Sequence, residues 1–456
     1  MAPEIHTEAL QLFSAEEAQF YRLLPFAVDS TGTVKCLGEE GRDYAAATRE
    51  IQALFGKKIE VLPTTADELS RLLVPSYRAT TTHTQGELPK EPAQMISFLI
   101  EDAFKMRASD IHLEPQEQNS RIRYRIDGKL LERYVIPTTD YTALVNRVKI
   151  LSNLDISEKR LPQDGRILFA LSNTDNQRFD VRTSILPTIH GEKIVLRLLS
   201  QGSRHLSISE LGMDSRQKED YLNAISHPHG MILISGPTGS GKSTTLYATL
   251  ERLNRGDNNI LTIEDPVEYT LEGINQVQLK EEIGLDFPTA LRTFLRQDPD
   301  IIMLGEIRDE ETAEMAVRSS LTGHLVLSTL HTNSAWGCIT RLADMGIHPY
   351  LLSETLVACV AQRLVRTLCP NCKREIGDGH YKAEGCPKCF YTGYLGRKAI
   401  YEVIPIDMEL SGAIRTRKAD ISDYLHKHKI KTLRESAQTL YDAGETSLEE
   451  IMTIIS

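Results

Sequence analysis

One glycine-rich segment has the residue types needed to bind the phosphates of a nucleotide. Residues 236–244 read GPTGSGKST, directly after the apolar run MILIS and at the start of a helix-like stretch. Glycines permit backbone angles that let successive amides point at one anion, and a helix N-terminus adds its positive dipole end. A strand, such a loop and a helix in that order are the context of a P-loop.

We predict that this segment binds ATP. Its residues are Gly236, Pro237, Thr238, Gly239, Ser240, Gly241, Lys242, Ser243 and Thr244. Lys242 would reach the β- and γ-phosphates, and Ser243 would hold Mg²⁺. A glycine-rich turn without a ligand is the alternative, and the flanking strand and helix favour the nucleotide site.

Acidic residues follow two of the predicted strands. ILTIEDPVEY offers Glu264, Asp265 and Glu268, and DPDIIMLGEIRD offers Glu306. Hydrolysis needs a group that orients the attacking water, and ligands of open α/β sheets gather at the carboxyl ends of the strands. A solvated loop residue is the alternative for each carboxylate taken singly. Two acidic loops on the side of the P-loop favour a catalytic site.

Basic residues could stabilise charge on the phosphates. Arg292 and Arg296 are four residues apart, so they would share one face of a helix, with surface ion pairs as the alternative role. Arg182 and Arg197 lie on predicted strands of an earlier segment, and the sequence alone leaves their place open. His331 follows the strand LVLSTL and could sense phosphate or be structural.

Four of the seven cysteines form two CxxC pairs, Cys369 with Cys372 and Cys386 with Cys389, separated by thirteen residues. Such spacing fits one tetrahedral Cys₄ zinc site, which would stabilise an intervening segment that is short and polar. A redox pair is the alternative. The other three cysteines have no partner at ligand spacing, which predicts buried small residues.

The strands that position these residues are short buried runs. MILIS, ILTI, IIML and LVLSTL are separated by helical stretches, the pattern of a parallel sheet wrapped by helices. Before them, RIRYRIDGKLL alternates around an Asp-Gly turn, which indicates a strand-rich domain. The first residues indicate a small α/β unit, followed by a Thr- and Pro-rich linker.

Six ranges are therefore predicted along the chain. They are an N-terminal partner-docking domain (1–78), a linker (79–92), a strand-rich second domain (93–204), an ATPase core (205–365), a tetracysteine zinc module (366–400) and a C-terminal helical region (401–456).

Composition restricts the classes of function. The chain has 456 residues, a formal net charge of -11 and 25% charged residues, typical of a globular protein of several domains. No stretch approaches the roughly eighteen apolar residues of a membrane span, and MAPEIHTEAL has no basic region before an apolar one, so we expect a cytoplasmic protein. The acidic balance argues against a nucleic-acid partner.

Four motifs in order resemble the secretion and pilus-assembly ATPases of the GspE/PilB type. They are GPTGSGKST, TIEDPVEY, DPDIIMLGEIRD and GHLVLSTLHTNSA, which correspond to Walker A, the Asp box, an atypical Walker B and the His box. The resemblance covers residues 93–405 and extends loosely beyond them. It implies a RecA-like P-loop ATPase core with a parallel sheet, a PAS-like strand-rich α/β domain, a small N-terminal α/β domain and a Cys₄ zinc module.

The resemblance also implies roles. Glu268 would position or activate water, Glu306 would be the Walker B acid near Mg²⁺, and His331 would be the His-box histidine. Arg182, Arg197, Arg292 and Arg296 would line the nucleotide site, with the first two supplied by the second domain.

Partners are implied by the same resemblance. It suggests a homo-hexamer that acts on an inner-membrane platform protein, docks on a membrane-anchored cytoplasmic partner and associates peripherally with the inner membrane. The tetracysteine element favours assembly over retraction, and the Arg-Leu-Gly motif that binds cyclic di-GMP in some relatives lacks its glycine in YRLLP. A nucleic-acid translocase and a non-hydrolysing nucleotide-regulated scaffold are the rival functions.

Overall fold

The computed structural model describes residues 9, 12–13, 18, 20–29, 32–55, 57–76, 88–170, 178–199 and 206–455. The chain forms two compact units, Met1–Gln201 with Glu384–Gly393, and Gly202–Ala383 with Tyr394–Ser456. Most of the predicted linker, residues 79–87, and the predicted boundary at residue 204 lie outside the described residues. The six predicted ranges stay predictions.

The N-terminal part of the first unit is a small α/β sheet. Its elements are β1 (Leu23–Val28), β2 (Val34–Glu39), α1 (Ala45–Phe55), β3 (Ile59–Thr64) and α2 (Ala66–Ser76). The sheet order is β1-β2-β3, with β1 antiparallel to β2 and β3 parallel to it. Leu23, Cys36 and Leu69 are fully buried in its core. Burial raises the pKa of the Cys36 thiol to about 12, so this cysteine is the buried small residue that was predicted.

The first unit also contains a larger antiparallel sheet. Its elements are α3 (Pro92–Lys105), β4 (Ala108–Glu114), β5 (Asn119–Ile126), β6 (Lys129–Pro137), α4 (Thr138–Leu151), β7 (Gln163–Ala170), β8 (Arg178–Thr188) and β9 (Gly191–Leu199). The sheet order is β6-β5-β4-β9-β8-β7. Ile122, Tyr124 and Ile126 of β5 pack in the core with α3 and α4, while the three arginines of β5 alternate with them on the other face. Asp127 and Gly128 have φ of 46° and 86°, which confirms the predicted Asp-Gly turn.

The second unit is built on a sheet that helices cover on both faces. Its elements are α5 (Ser215–Ile225), β10 (Gly230–Ser235), α6 (Lys242–Leu253), β11 (Ile260–Glu264), β12 (Asn275–Gln278), α7 (Phe287–Phe294), β13 (Ile301–Leu304), α8 (Glu310–Leu321), β14 (Leu325–Leu330), α9 (Gly337–Asp344), α10 (Pro349–Thr355), β15 (Leu356–Leu368) and β18 (Tyr394–Pro405).

The sheet order is β12-β11-β13-β14-β10-β15-β18, and every neighbouring pair is parallel except β15 with β18. This arrangement confirms the predicted parallel sheet, because the four predicted runs are β10, β11, β13 and β14. Met231 and Leu233 of β10 face a core with α7 to α10, whereas Ile232 and Ile234 face a second core with α5 and α6. The sheet therefore holds its strand ends between two packed layers.

The remaining elements follow β15 and β18. They are the hairpin strands β16 (Arg374–Gly377) and β17 (His380–Lys382), and the helices α11 (Met408–Arg415), α12 (Ser422–Lys427), α13 (Leu433–Asp442) and α14 (Leu448–Ile455). Trp336, which immediately precedes α9, is buried and donates its Nε1–H to the carbonyl oxygen of Lys418 at 3.0 Å. Across the described part of the chain, no helix has both the length and the apolar character to cross a membrane.

Candidate nucleotide and metal sites

The glycine-rich loop connects a buried strand to a helix. All residues of β10 are buried, the Gly236 N–H donates to the carbonyl oxygen of Leu330 at 3.2 Å, and α6 begins at Lys242. Gly236, Gly239 and Gly241 have φ of 153°, 79° and 90°. Residues other than glycine rarely adopt these φ angles, so the three glycines determine the backbone conformation of the loop.

Two of these glycines are also required by close packing against β15. A Cβ at position 236 would lie 2.5 Å from the carbonyl oxygen of Gln362, and one at position 241 would lie 2.8 Å from its Nε2. Thr245 donates its Oγ1–H to Gln362 Oε1 at 2.8 Å. The buried Gln362 thus supports both ends of the loop, a role that sequence reasoning missed because its partners lie more than a hundred residues away.

The loop residues predicted to contact nucleotide lie at or near its surface. Ser243 is exposed, like Pro237, Thr238, Gly239 and Thr244, whereas Lys242 is half-buried and Ser240 is buried. Lys242 donates from Nζ to the carbonyl oxygens of Gly236 at 2.7 Å and Pro237 at 3.2 Å. Burial lowers the pKa of Lys242, Glu306 opposes that shift, and the positive charge of Arg363 adds to it. An exposed hydroxyl and a lysine at a helix N-terminus suit the phosphate–Mg²⁺ chemistry of ATP.

Glu306 and His331 lie together at the ends of adjacent strands β13 and β14. His331 Nε2 is 3.1 Å from Glu306 Oε2. Arg308 forms an ion pair with Glu306 and a second with Asp265 Oδ2 at 3.2 Å. The structure therefore places Glu306, His331 and the Asp-box residue Asp265 in one cluster of polar side chains, connected through Arg308. Arg308 was missed in the sequence, although it stands two residues after Glu306 in GEIRD.

The two remaining acidic candidates of the Asp box differ in exposure. Glu264 is buried and accepts hydrogen bonds from Tyr247, from Thr262 Oγ1 at 2.7 Å and from Gln276 Nε2 at 3.1 Å. Glu268 is exposed, and its N–H donates to the Tyr247 hydroxyl oxygen at 3.2 Å. Glu264 is thus a buried structural carboxylate, and it leaves Glu268 as the accessible one.

Tyr247 links the glycine-rich loop to Glu268. Tyr247 lies on α6, the residue is 1% exposed, and its hydroxyl contacts both Glu264 and the Glu268 amide. Burial and the adjacent Glu264 raise the pKa of Tyr247. Its hydroxyl therefore stays protonated and donates a hydrogen bond to the Glu264 carboxylate. No catalytic motif marks Tyr247 in the sequence, where it reads as an ordinary core aromatic.

The predicted arginines lie in different units. Arg292 forms an ion pair with Glu311 at 3.0 Å, and Arg296 donates to the carbonyl oxygen of Arg292 at 2.8 Å. The expectation that both share one helix face is wrong, because α7 ends at Phe294 and Arg296 lies in the turn after it.

Arg182 and Arg197 belong to the first unit. They are directly opposite each other on β8 and β9, and Arg197 donates to the buried Asp110 at 3.0 Å. Since cross-strand neighbours project from the same face, the two guanidinium groups lie on one face of that sheet.

The four cysteines of the CxxC pairs meet at one point. Their Sγ atoms all lie within 4.8 Å of one another, with Cys369 and Cys389 buried and Cys372 and Cys386 half-buried. Four thiolates about 2.3 Å from a tetrahedral Zn²⁺ would be about 3.8 Å apart, and the Sγ atoms of Cys386 and Cys389 are 3.8 Å apart. The N–H groups of Cys386 and Gly393 donate to Cys389 Sγ at 3.2 and 3.3 Å, which stabilises a thiolate. These residues fit zinc.

Comparison with known proteins gives a consistent family. Residues 87–453 match the family described as Type II/IV secretion system protein. The type II secretion system protein HxcR of Pseudomonas aeruginosa is 48% identical over 363 residues, covering 79% of this chain and 76% of that protein. The type IV pilus assembly ATPase PilB of Myxococcus xanthus is 46% identical over 383 residues, covering 79% and 67%.

Solved structures show a similar fold. The ATPase DotB of Legionella pneumophila has a TM-score of 0.62 and 22% identity, covering 82% of this chain and 98% of that chain. The pilus retraction motor PilT, solved with bound ADP, has a TM-score of 0.55 and 27% identity, covering 79% and 96%. The RecA-like P-loop core and the preceding α/β domain are thus features that this chain shares with ATPases.

We expect Lys242→Ala to weaken ATP binding about a hundredfold or more, because a charged donor to two phosphates is lost at about 1.5–3 kcal/mol for each contact. Isothermal titration with Mg-ATP would measure the change. Lys427→Ala is the matched control, since this exposed lysine pairs with Glu409 on the surface. Equal affinity of the wild type and Lys242→Ala would contradict the assignment.

For the cysteine cluster, we expect elemental analysis of the natively purified protein to find about one zinc ion per chain. Cys372→Ser should lose it, because three thiolates hold zinc far more weakly than four. Cys36→Ala, which changes a cysteine in the N-terminal sheet, should keep it. Native protein without zinc would contradict the metal assignment.

Proposed function

Because this chain belongs to the type II/IV secretion system protein family, of the GspE/PilB type, we propose that it is an ATPase that powers assembly of a type II secretion pseudopilus or a type IV pilus. The relatives named above include a type II secretion system protein and a type IV pilus assembly ATPase, so the proposal covers both machines.

One observation carries the proposal. Four neighbouring parallel strands of one sheet are each followed, at the carboxyl end, by a segment of the candidate site. The glycine-rich loop and the Asp-box loop follow two of these strands, and Glu306 and His331, which contact each other, follow the other two. In open α/β sheets a ligand binds at this edge, so a nucleotide in the loop would meet the acidic residues directly. A binding loop with accessible acids beside it is what hydrolysis of a phosphoanhydride requires.

The residues have distinct roles in the proposed reaction. Lys242 and the loop amides bind the phosphates, and Ser243 and Glu306 would hold Mg²⁺, which neutralises phosphate charge when bound. Glu268, exposed and held by its backbone on Tyr247, orients the attacking water. His331 contacts Glu306 and so responds to changes at that carboxylate.

The proposal extends to assembly and partners. A ring of six copies with head-to-tail contacts would let one protomer complete the site of the next. Arg182 and Arg197, on one face of the β8–β9 pair, and Arg292 and Arg296 of the second unit are the cations proposed to line the nucleotide site. The ring would act on a platform protein and a docking partner at the cytoplasmic face of the inner membrane, with zinc bound by the four cysteines.

Glu268→Gln and Glu306→Gln should each keep ATP binding and lower kcat about a hundredfold or more, since each removes a carboxylate that acts in hydrolysis while Lys242 and the loop amides still hold the phosphates. Phosphate release from purified protein with Mg-ATP measures this. The control is Glu314→Gln, which alters a surface carboxylate paired with Arg318 on α8. Unchanged turnover in Glu268→Gln would refute its assigned role.

A deletion strain, scored for secreted enzymes and for surface pili, identifies the machine. We expect loss of one of the two, restored by the wild-type gene and not by the Lys242→Ala gene. Normal secretion and normal piliation in the deletion strain, or ATPase activity stimulated by single-stranded DNA, would contradict the proposed function.

A further inference from the structure

Arg363 occupies a position on β15 that the motifs do not cover. The preceding residue, Gln362, packs on the two P-loop glycines 236 and 241 and accepts the hydrogen bond from Thr245. β15 is also the strand that runs parallel to β10 on the side away from β14. Register alone therefore brings Arg363 next to the glycine-rich loop.

Its hydrogen bonds connect the loop to the His box. Arg363 Nη1 donates to the carbonyl oxygen of Gln362 at 3.0 Å, the same oxygen that a Cβ on Gly236 would approach to 2.5 Å. Nη2 donates to the carbonyl oxygen of Asn333 at 3.2 Å and to its Oδ1 at 3.3 Å. Asn333 stands two residues after His331. The guanidinium group thus lies between the first P-loop residue and the His-box loop.

The charge of Arg363 is not matched by a carboxylate at ion-pair distance among residues 206–455 or the other described ranges. Its acceptors are neutral amide oxygens. Burial lowers the pKa of Arg363, and the carboxylate whose charge opposes that shift is Glu402, which is buried and accepts hydrogen bonds from the N–H groups of Ala335 and Leu433 at 2.7 and 3.2 Å. Burial raises the pKa of Glu402, because desolvation disfavours its charged form.

Two cations therefore converge on the loop. Burial lowers the pKa of Arg363, and burial together with the charge of Arg363 lowers that of Lys242. Half-buried positive groups that repel each other favour a bound anion, because an anion offsets both the desolvation and the repulsion. Within the described part of the chain, the Nε–H of Arg363 and one of its Nη1–H groups make no hydrogen bond, so both are available for such an anion.

We propose that Arg363 is a further nucleotide-binding residue, which donates hydrogen bonds to phosphate oxygens of the ATP held by the P-loop. Its second set of bonds, to Asn333, ties the His-box loop to those phosphates. The inference rests on the proposed ATPase function and adds a residue from a strand that none of the four motifs includes.

The test is equilibrium binding of Mg-ATP to the full-length protein, with melting temperature recorded for every variant. Arg363→Gln removes the charge and should weaken ATP binding at least about tenfold, the effect of losing a charge-assisted hydrogen bond. Arg363→Lys keeps a cation but lacks the planar fork, so it should bind ATP more tightly than Arg363→Gln and less tightly than wild type. Arg318→Gln, an exposed arginine paired with Glu314, is the matched control.

Each outcome decides the matter. Wild-type affinity in folded Arg363→Gln would overturn the proposal. Weakening that follows a lowered melting temperature equally in Arg363→Gln and Arg363→Lys would also overturn it, because the loss would then come from the bonds to Asn333 and the fold, not from a contact with phosphate. A Lys242→Ala arm separates this inference from the proposed function. If Lys242→Ala binds ATP like wild type, the ATPase assignment fails first, whereas loss in Lys242→Ala with none in Arg363→Gln rejects Arg363 alone.

Discussion

The close approach of the P-loop backbone to β15 constrains the whole of the second unit. At position 236 the backbone oxygen of Gln362 occupies the space where a Cβ would be, and at position 241 a φ of 90° and the Gln362 side chain together favour glycine. That contact exists only while β14, β10 and β15 keep their parallel register, which in turn depends on the two apolar cores on either face of the sheet. The geometry of the P-loop therefore depends on both strand register and core packing. A change in either would move the backbone amides of the loop.

Polar side chains near the candidate site also form hydrogen bonds and ion pairs that connect neighbouring helices, strands and loops. The Tyr247 hydroxyl joins α6 to the Asp-box loop, and Arg308 joins that loop to Glu306. Because Glu306 also contacts His331, the ends of β11, β13 and β14 are electrostatically connected. Such connections make it difficult for one loop to shift without affecting the others, and buried members such as Glu264 fix the geometry of exposed ones such as Glu268.

The features that can be predicted from the sequence are those that depend on residues close together in the chain. The four buried runs, the P-loop between strand and helix, the Asp-Gly turn and the paired cysteines are local patterns, and the structure contains each of them. Gln362 and Arg363 could not be found in this way, because their partners are brought close only by the parallel pairing of β10 with β15. The predicted shared helix face of Arg292 and Arg296 is wrong because α7 ends at Phe294, and a four-residue spacing does not show where a helix ends.

The single tryptophan of the chain, Trp336, lies three residues after Asn333 and directly after Ala335, whose amide is bound by Glu402. Its indole is buried and donates to Lys418. Because the sequence has one tryptophan, emission excited at wavelengths that tyrosine does not absorb reports on one place, the junction between the His-box loop and the segment before α12. The native protein thus carries a built-in optical probe of the contact between Trp336 and Lys418, and it needs no introduced label.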